Sequence, residues 1–246
     1  MTIGLIGYGR FGRLAARYLA SHAAVVVYDP GLASVPRHPR SVTFGSVQEA
    51  ASQGVVVLAV PVSSFRSALR QIRQHVRPGA LVIDTCAVKA LPARWMTELL
   101  PPSVNILATH PLFGPDSAAR SLSGKTIVLC PVRISRTRLG QIGKGLRRKG
   151  LHAAVMSVEE HDRMAAETIL LAQYVGRYVG QASVRRWPGV TRNYRNLLRL
   201  VDIAERDSFT LLADMVRYNP EGKKVLARLR KGGVRLHARL AAKGHR

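Results

Sequence analysis

A histidine followed by a proline, His110-Pro111, ends an apolar run that begins at Val104. An imidazole that is neutral near pH 7 accepts protons well, so this histidine is a candidate general base. Proline lacks a backbone N–H and biases the residue before it towards an extended conformation. The sequence therefore predicts that His110 projects from a stiff loop at the mouth of an α/β sheet, where ligands bind. A structural loop with an exposed imidazole is the alternative.

A glycine-rich turn, Gly7-Tyr8-Gly9-Arg10-Phe11-Gly12, follows an apolar run and opens a helical pattern. In such a turn the first glycine permits a tight bend, the second lets a pyrophosphate approach, and the third lets helix and strand pack closely. Asp29 lies where an acid hydrogen-bonds the ribose hydroxyls and repels a 2′-phosphate. The pattern predicts NAD rather than NADP, although Arg37 and Arg40 lie nearby. A turn without a ligand is the alternative.

A second polar segment, Asp84-Thr85-Cys86-Ala87-Val88-Lys89, also follows an apolar run. Its predicted place at the carboxyl edge of a sheet is where open α/β folds bind ligands. Lys89 either faces a substrate carboxylate or holds the loop, and a solvated surface lysine is the alternative.

The composition limits the class of protein. The chain has 246 residues, 47% of them apolar, which suffices for one large domain or two modest ones. No apolar run of about 18 residues occurs, so no membrane span is expected, and the N-terminal MTIGLIG is interpreted as a first strand rather than a signal peptide. Cys86 and Cys130 are too few for a disulfide framework, which favours a cytoplasmic location.

The net charge is +24, from 38 basic and 14 acidic residues. Such a surface attracts nucleic acid, anionic lipid or anionic substrates. Residues 223–246 hold nine of the basic residues and no acid, and a solvated, partly packed helix whose apolar face is interrupted at Gly232-Gly233 is the favoured interpretation. Binding to nucleic acid or to a membrane surface is not excluded, but no interleaved aromatic residues provide a stacking platform.

Short apolar runs alternate with helical patterns over the first 155 residues, and strand signals stop after Ser157. The alternation predicts a Rossmann-type, doubly wound parallel α/β domain over residues 1–155, and the later pattern predicts an all-α domain over residues 156–246. The predicted strands are Ile3–Ile6, Val25–Tyr28, Val55–Ala59, Leu81–Asp84, Asn105–Thr109, Thr126–Cys130 and His152–Met156. The predicted helices cover residues 11–21, 63–75, 89–99, 135–149, 158–184, 191–216 and 220–241.

Together these motifs resemble the prephenate/arogenate dehydrogenase family of tyrosine biosynthesis. GLIGYGRFG resembles the family's opening, VLAVPVSSF its middle strand, and DTCAVK its D-x-x-S-x-K motif. ATHPLFGPDSA and EEHDRMAA resemble two more selective motifs, the second of which contains a His-Asp pair. LVDIAERDSFTLLADMVRYNP resembles a late helix pair of plant arogenate enzymes.

The resemblance implies an NAD-dependent oxidative decarboxylation of a small anionic cyclohexadienol, arogenate or prephenate. Hydride leaves C4 for the nicotinamide, and the ring carboxylate departs as CO2. By resemblance His110 accepts the C4 hydroxyl proton, Lys89 belongs to the catalytic set, and Arg195 holds a substrate carboxylate. Arg192 and Arg199 are rivals for that last role. No metal is needed, and the sequence contains no evident ligand cluster for one.

The resemblance also assigns cofactor contacts to the glycine-rich turn, to Asp29, and to Val60 and Pro61 in VLAVPVSSF. It implies a homodimer formed through the helices after Ser157. The active site is expected in a cleft, with His110 on one side and Arg195 on the other.

Two substrate-side positions depart from the family pattern. Ala87 replaces a serine that bonds the catalytic histidine, and Gln173 stands where another histidine is frequent, twelve residues after His161. Glutamine can donate a hydrogen bond but cannot titrate. His161 matches the His-Asp motif, and a capping or packing role is its alternative. The candidate replacements for the serine are Thr85, Cys86, Thr109 and a water molecule.

Two other functions stay open. A β-hydroxyacid dehydrogenase or imine reductase shares the Rossmann start, but these enzymes usually rely on a lysine in the helical domain, and none occurs between Ser157 and Glu221. A non-catalytic NAD-binding regulator is compatible with Ala87, Gln173 and the positive charge. The plant-like helices favour arogenate as substrate and the positive charge favours the more anionic prephenate, so the substrate is undecided.

Overall fold

The computed structural model describes residues 1–243 and divides into two compact units, Met1–His161 and a second that begins at Asp162. The first unit contains an eight-stranded sheet. Its strands are β1 (Thr2–Ile6), β2 (Ala24–Tyr28), β3 (Val42–Phe44), β4 (Val55–Leu58), β5 (Leu81–Asp84), β6 (Asn105–Pro111), β7 (Thr126–Arg133) and β8 (His152–Val155). Its helices are α1 (Arg10–Ala20), α2 (Val47–Ala51), α3 (Val62–Ile72), α4 (Ala90–Leu99), α5 (Arg136–Arg148) and the first turn of α6 (Val158–Ala165).

The strands are ordered β3-β2-β1-β4-β5-β6-β7-β8 across the sheet. The first six are parallel, in the order of a Rossmann dinucleotide-binding fold. Strand β7 is antiparallel to β6, and β8 is parallel to β7. The connection over residues 112–125 contains no helix, and only an antiparallel neighbour is reached without such a crossover. The predicted fold class is confirmed, with a reversed pair of strands at one edge.

The middle of the sheet forms the core of the first unit. Leu5 of β1, Val56 of β4 and Val82 of β5 are completely buried. Strands that are buried on both faces read as continuous apolar runs rather than as alternating patterns. This is why the sequence located these strands to within a residue or two.

Two short elements escaped prediction. Strand β3 has three residues and helix α2 has five, so neither carries enough sequence to show a period. Helix α2 did have a local signal, because Ser46 and Glu49 form a capping box in which each side chain bonds the other residue's backbone N–H.

The second unit is helical. Beyond the rest of α6 it contains a π-helical turn (Ala166–Leu170), α7 (Leu171–Gln181), α8 (Arg192–Arg206), α9 (Phe209–Tyr218) and α10 (Gly222–Lys243). Helices α7 and α8 approach closely at Gly176, where a Cβ would lie 2.7 Å from the Leu200 carbonyl oxygen. No helix within residues 1–243 is long and apolar enough to cross a membrane.

One helix prediction for this region is wrong. The single helix predicted over residues 191–216 is divided at Asp207, whose backbone is extended, and Ser208 caps α9 by accepting the Leu211 N–H at 3.2 Å. The single helix predicted over residues 220–241 is observed as α10, which continues through Gly232 and Gly233, where the apolar face is interrupted. Glycine lowers helix stability by only about 1 kcal/mol per residue, which neighbouring turns can offset.

Candidate functional site

The glycine-rich turn has the conformation that its sequence requires. Gly7 adopts a φ of +98°, and its N–H donates to the Tyr28 carbonyl at 2.8 Å. A Cβ on Gly12 would lie 2.2 Å from the Gly7 carbonyl oxygen, so a larger residue there would push helix α1 away from the turn. A Cβ on Gly9 would meet no atom within 4 Å. The turn therefore leaves open space beside the second glycine alone of the three.

Helix α1 begins at this turn without a side-chain cap. Gly9 is the N-cap and provides no side-chain hydrogen bond, and the first turn contains no acidic residue. Free N–H groups and the helix dipole make such a terminus an anion-binding site. Asp29 stabilises the turn, since its two oxygens accept the Tyr8 N–H at 2.6 Å and the Gly31 N–H at 2.8 Å.

The three glycines permit a matched test. We expect Gly12→Ala to lower stability strongly, because the methyl group overlaps backbone atoms. Gly9→Ala is expected to fold normally and to weaken dinucleotide binding, because the methyl group fills the space beside the helix terminus. Thermal denaturation and a fluorescence titration with NADH measure the two effects. Normal NADH affinity in a folded Gly9→Ala variant would contradict this place for the pyrophosphate.

A buried ion pair lies at the carboxyl end of β5. Asp84 and Lys89 are both 0% exposed, and the Lys89 ammonium donates to Asp84 Oδ1 and, at 2.6 Å, to the Thr109 carbonyl oxygen. Asp84 Oδ1 also accepts the Cys86 N–H at 2.8 Å. Burial raises the pKa of the Asp84 carboxyl, and the Lys89 ammonium opposes that rise. Lys89 thus joins the ends of β5 and β6 rather than extending into solvent.

His110 lies within strand β6 and not in a loop, which corrects the prediction. Its backbone position pairs with Val128 of β7, and the residue is only 7% exposed. The predicted strand ended at Thr109, but the observed strand continues to Pro111, which pairs with Ile127. Burial holds the pKa of the His110 imidazole well below 6.5, and the nearby His161 and Lys89 lower it further.

His161 contacts His110 directly. Its Nε2 lies 2.8 Å from His110 Nδ1, and the two rings meet edge to face with centroids 5.0 Å apart. Helix α6 is begun by a capping box, in which Ser157 accepts the Glu160 N–H at 3.1 Å and Glu160 accepts the Ser157 N–H at 2.8 Å. The capping box fixes the start of α6 and therefore the position of His161 in its first turn.

The loop after β6 is attached to helix α1. Arg10 pairs with Asp116 at 3.1 Å, and the Tyr18 hydroxyl donates to the Ala118 carbonyl at 2.8 Å. Arg17 donates to the Ala119 carbonyl at 2.8 Å. These contacts attach the loop that follows the His110 strand to the helix that follows the glycine-rich turn.

Comparisons with known proteins agree with this arrangement. The family model "Prephenate dehydrogenase, nucleotide-binding domain" matches residues 37–156, and "TYRAAT1-like, C-terminal domain" matches residues 179–246. Arogenate dehydrogenase 2, chloroplastic, of Arabidopsis thaliana is 31% identical over 93% of this chain and 67% of its own length. The chain belongs to the prephenate/arogenate dehydrogenase family. The family predicted from the sequence is therefore confirmed.

Other relatives show how much of the family this chain represents. Arogenate dehydrogenase 1, chloroplastic, of the same plant is 27% identical over 93% of this chain but only 37% of its own length. Prephenate dehydrogenase from Aquifex aeolicus, solved with hydroxyphenyl propionate and NAD+, has a TM-score of 0.74 at 18% identity and covers 99% of this chain and 92% of that one. The residues that match the family's nucleotide-binding domain, 37–156, all lie within the first unit.

The remaining cofactor candidates lie around the glycine-rich turn. Val60 packs against it, since its Cγ1 is 2.8 Å from the position of a Cβ on Gly7, and Pro61 is the exposed N-cap of α3. Tyr8 is buried with its ring edge-on to Phe44, and burial raises the pKa of its hydroxyl. Phe11 is half-buried on α1.

The substrate-side candidates of the second unit lie on α7 and α8. Arg192, Arg195 and Arg199 are exposed on α8, and Arg195 donates to the Val190 carbonyl at 3.2 Å. Gln173 is buried on α7, and its side-chain amide donates to Asp207 Oδ2 at 2.6 Å. Gln173 therefore holds the extended residue that separates α8 from α9.

Sequence reasoning missed three partners in the first unit. Asp84 was quoted within its motif, but it was not recognised as the partner of Lys89. Asp116 follows the His-Pro motif, and its pairing with Arg10 spans 106 residues. The contact between His110 and His161 spans 51 residues. Of these three contacts, only the Asp84–Lys89 pair had a local sequence signal, which is an acid at a strand end with a lysine five residues later.

Proposed function

We propose that this chain is an NAD-dependent cyclohexadienyl dehydrogenase that oxidatively decarboxylates arogenate or prephenate. The observation that supports this most is His110, a buried imidazole whose Nδ1 is bound by His161 and whose Nε2 accepts no hydrogen bond from residues 1–243. Membership of the prephenate/arogenate dehydrogenase family supplies the substrate class.

The reaction balances with one base. The C4 hydroxyl proton passes to His110 Nε2, the hydrogen on C4 leaves as hydride, and the bond between C1 and its carboxylate breaks to release CO2. The electrons of that bond complete an aromatic ring as a phenolate, and His110 returns the proton to that oxygen, which yields the phenol and the free base. NAD+, when bound, supplies the hydride acceptor.

The glycine-rich turn fits a dinucleotide. The open space beside Gly9 and the uncapped terminus of α1 suit a pyrophosphate, and the oxygens of Asp29 retain lone pairs for ribose hydroxyls. Val60 and Pro61 follow β4 at the carboxyl edge of the sheet, where open α/β folds bind their ligands.

Arg195 is proposed to bind a substrate carboxylate, with Arg192 as the nearest rival. Both guanidinium groups are exposed on α8, and a guanidinium binds a carboxylate through two parallel hydrogen bonds. The ion pair of Lys89 is assigned to positioning, because its ammonium is already bound by Asp84 and Thr109.

A homodimer through the second unit is proposed as the assembly. Large apolar side chains are exposed there, including Tyr178 at 68%, Ile203 at 51% and Phe209 at 70%. Exposed apolar surface is typical of a region that binds another protein.

The direct test follows NADH absorbance with purified protein, NAD+, and either arogenate or prephenate, with NADP+ in parallel. Turnover with one substrate supports the proposal and identifies the substrate. Failure with both substrates, in protein that binds NADH, would contradict it and favour a non-catalytic NAD-binding regulator. Turnover of β-hydroxy acids instead would favour the other dehydrogenase class.

The pH profile gives a second prediction. A base must be unprotonated to act, and the pKa of His110 lies well below 6.5 because of burial and the nearby His161 and Lys89. We therefore expect kcat/KM to stay level between neutrality and pH 6.5 and to fall only as the pH drops further. The expectation would be contradicted if kcat/KM fell around a pH above 6.5 and if replacing His161 shifted that pH.

A further inference from the structure

The two ring nitrogens of His110 have different surroundings. Its Nδ1 lies 2.8 Å from Nε2 of His161, whereas its own Nε2 makes no hydrogen bond within residues 1–243. A hydrogen bond between two ring nitrogens requires one to carry the hydrogen and the other to present its lone pair. The tautomers of the two histidines are therefore coupled.

Only one of the two arrangements makes His110 a base. A neutral imidazole carries a single N–H. If the hydrogen of the contact lies on His110 Nδ1, then His110 Nε2 has a free lone pair and can accept a proton. If the hydrogen lies on His161 Nε2, then His110 Nε2 carries the hydrogen and cannot accept one. His161 thus controls whether His110 can perform the proposed chemistry.

We propose that His161 is a positioning residue that accepts a hydrogen bond from His110 Nδ1 and so keeps the Nε2 of His110 unprotonated for the substrate. The identity of that substrate rests on the proposed function. The tautomer itself is a property of the free protein and can be measured without any substrate.

The contact joins two rigid elements. His110 is held in β6 by its pairing with β7, and His161 is 0% exposed one turn into α6, where the Ser157–Glu160 capping box fixes the helix start. Ala87, in the nearby loop after β5, has no side-chain group that could bond the imidazole instead. The contact between His110 and His161 is thus built into the fold.

The surroundings of His110 disfavour a positive charge on it at rest. Lys89 and His161 face it, and burial removes it from water, so a resting positive charge on His110 is disfavoured. Asp84 lies beyond the Lys89 ammonium and is paired with it. When His110 takes up the substrate proton, His161 Nε2 still accepts the Nδ1 hydrogen. The same hydrogen bond therefore stabilises the imidazolium that forms.

Histidine-selective ¹⁵N NMR of the free, full-length protein tests the tautomer. The expected spectrum shows His110 protonated at Nδ1 and unprotonated at Nε2, with its signals assigned from their loss in His110→Asn. A His110 that is protonated at Nε2 would overturn the proposal. This outcome does not depend on whether the dehydrogenase assay succeeds, so the two proposals can fail separately.

Variants of His161 give a second, matched test. Glutamine can present an acceptor oxygen near the place of Nε2, whereas leucine cannot, so His161→Gln should keep the Nδ1–H tautomer of His110 and His161→Leu should lose it. We expect kcat to fall roughly 10- to 100-fold in His161→Leu, with KM changing much less, and to recover in large part in His161→Gln. The exposed His152→Gln is the control and should match the parent protein.

Two results would overturn the role of His161. One is full kcat in His161→Leu. The other is an equal loss of kcat in both His161 variants while the tautomer of His110 remains unchanged. If His161→Leu does not fold, the parent spectrum and His161→Gln still decide the question.

Discussion

Replacing His110 with asparagine is expected to lower kcat by roughly 10²–10⁴-fold, the contribution typical of a general base. The amide cannot take up the C4 hydroxyl proton, so a developing positive charge on the substrate oxygen is left uncompensated. Binding of NADH is expected to remain, because the dinucleotide site proposed at the glycine-rich turn and the α1 terminus is formed by other residues. Steady-state kinetics and an NADH titration measure the two effects separately.

The control for this prediction is an exposed histidine of the same unit, His22, which follows α1. His22→Asn should retain full turnover. A His110→Asn protein that is folded, binds NADH and turns over at the parent rate would remove His110 from the mechanism. Loss of NADH binding along with turnover would instead show that the substitution disturbs the sheet edge.

Replacing Lys89 with methionine is expected to lower the free energy of unfolding by about 3–5 kcal/mol, the usual cost of leaving a buried charge unpaired. Asp84 is 0% exposed, and its Oδ2 has no hydrogen-bond partner within residues 1–243, so the Lys89 ammonium is the main compensation for the carboxylate. The same substitution also removes the bond from Lys89 to the Thr109 carbonyl. Denaturant unfolding at neutral pH measures the loss.

Two further variants isolate the cause. Lys144→Met changes an exposed lysine on α5 and should alter stability by no more than about 0.5 kcal/mol. The double variant Lys89→Met/Asp84→Leu removes both charges and should regain much of the lost stability. Equal stability of Lys89→Met and Lys144→Met would show that the ion pair contributes little. No recovery in the double variant would assign the loss to packing instead.

Elements with a clear period were predicted well. Strand β5 was predicted at its observed bounds, Leu81–Asp84, and β1, β2 and β4 within a residue, because each is a buried apolar run bounded by turn residues. The direction of β7 was not predicted, because a strand's own residues look the same in either direction. The division between α8 and α9 was also missed, since the apolar spacing continues across Asp207.

The sequence alone determined the glycine-rich turn, the fold class and the family, because each depends on short stretches of chain. The glycines at positions 7, 9 and 12 require a tight turn between a strand and a helix, and that turn is present. The order of apolar runs determined the fold class, and the selective motifs around His110 and His161 determined the family. These signals lie within short stretches of chain, so no knowledge of distant contacts was needed.

Only the tertiary structure decided what each side chain does. It buried Lys89 against Asp84, where the sequence left a surface lysine as the alternative, and it placed His110 inside a strand. It also brought His161 within 2.8 Å of His110 across 51 residues. The tautomer of an imidazole, the cost of an unpaired charge and a depressed pKa all depend on which groups fold against one another. Residue types and spacing do not specify those neighbours.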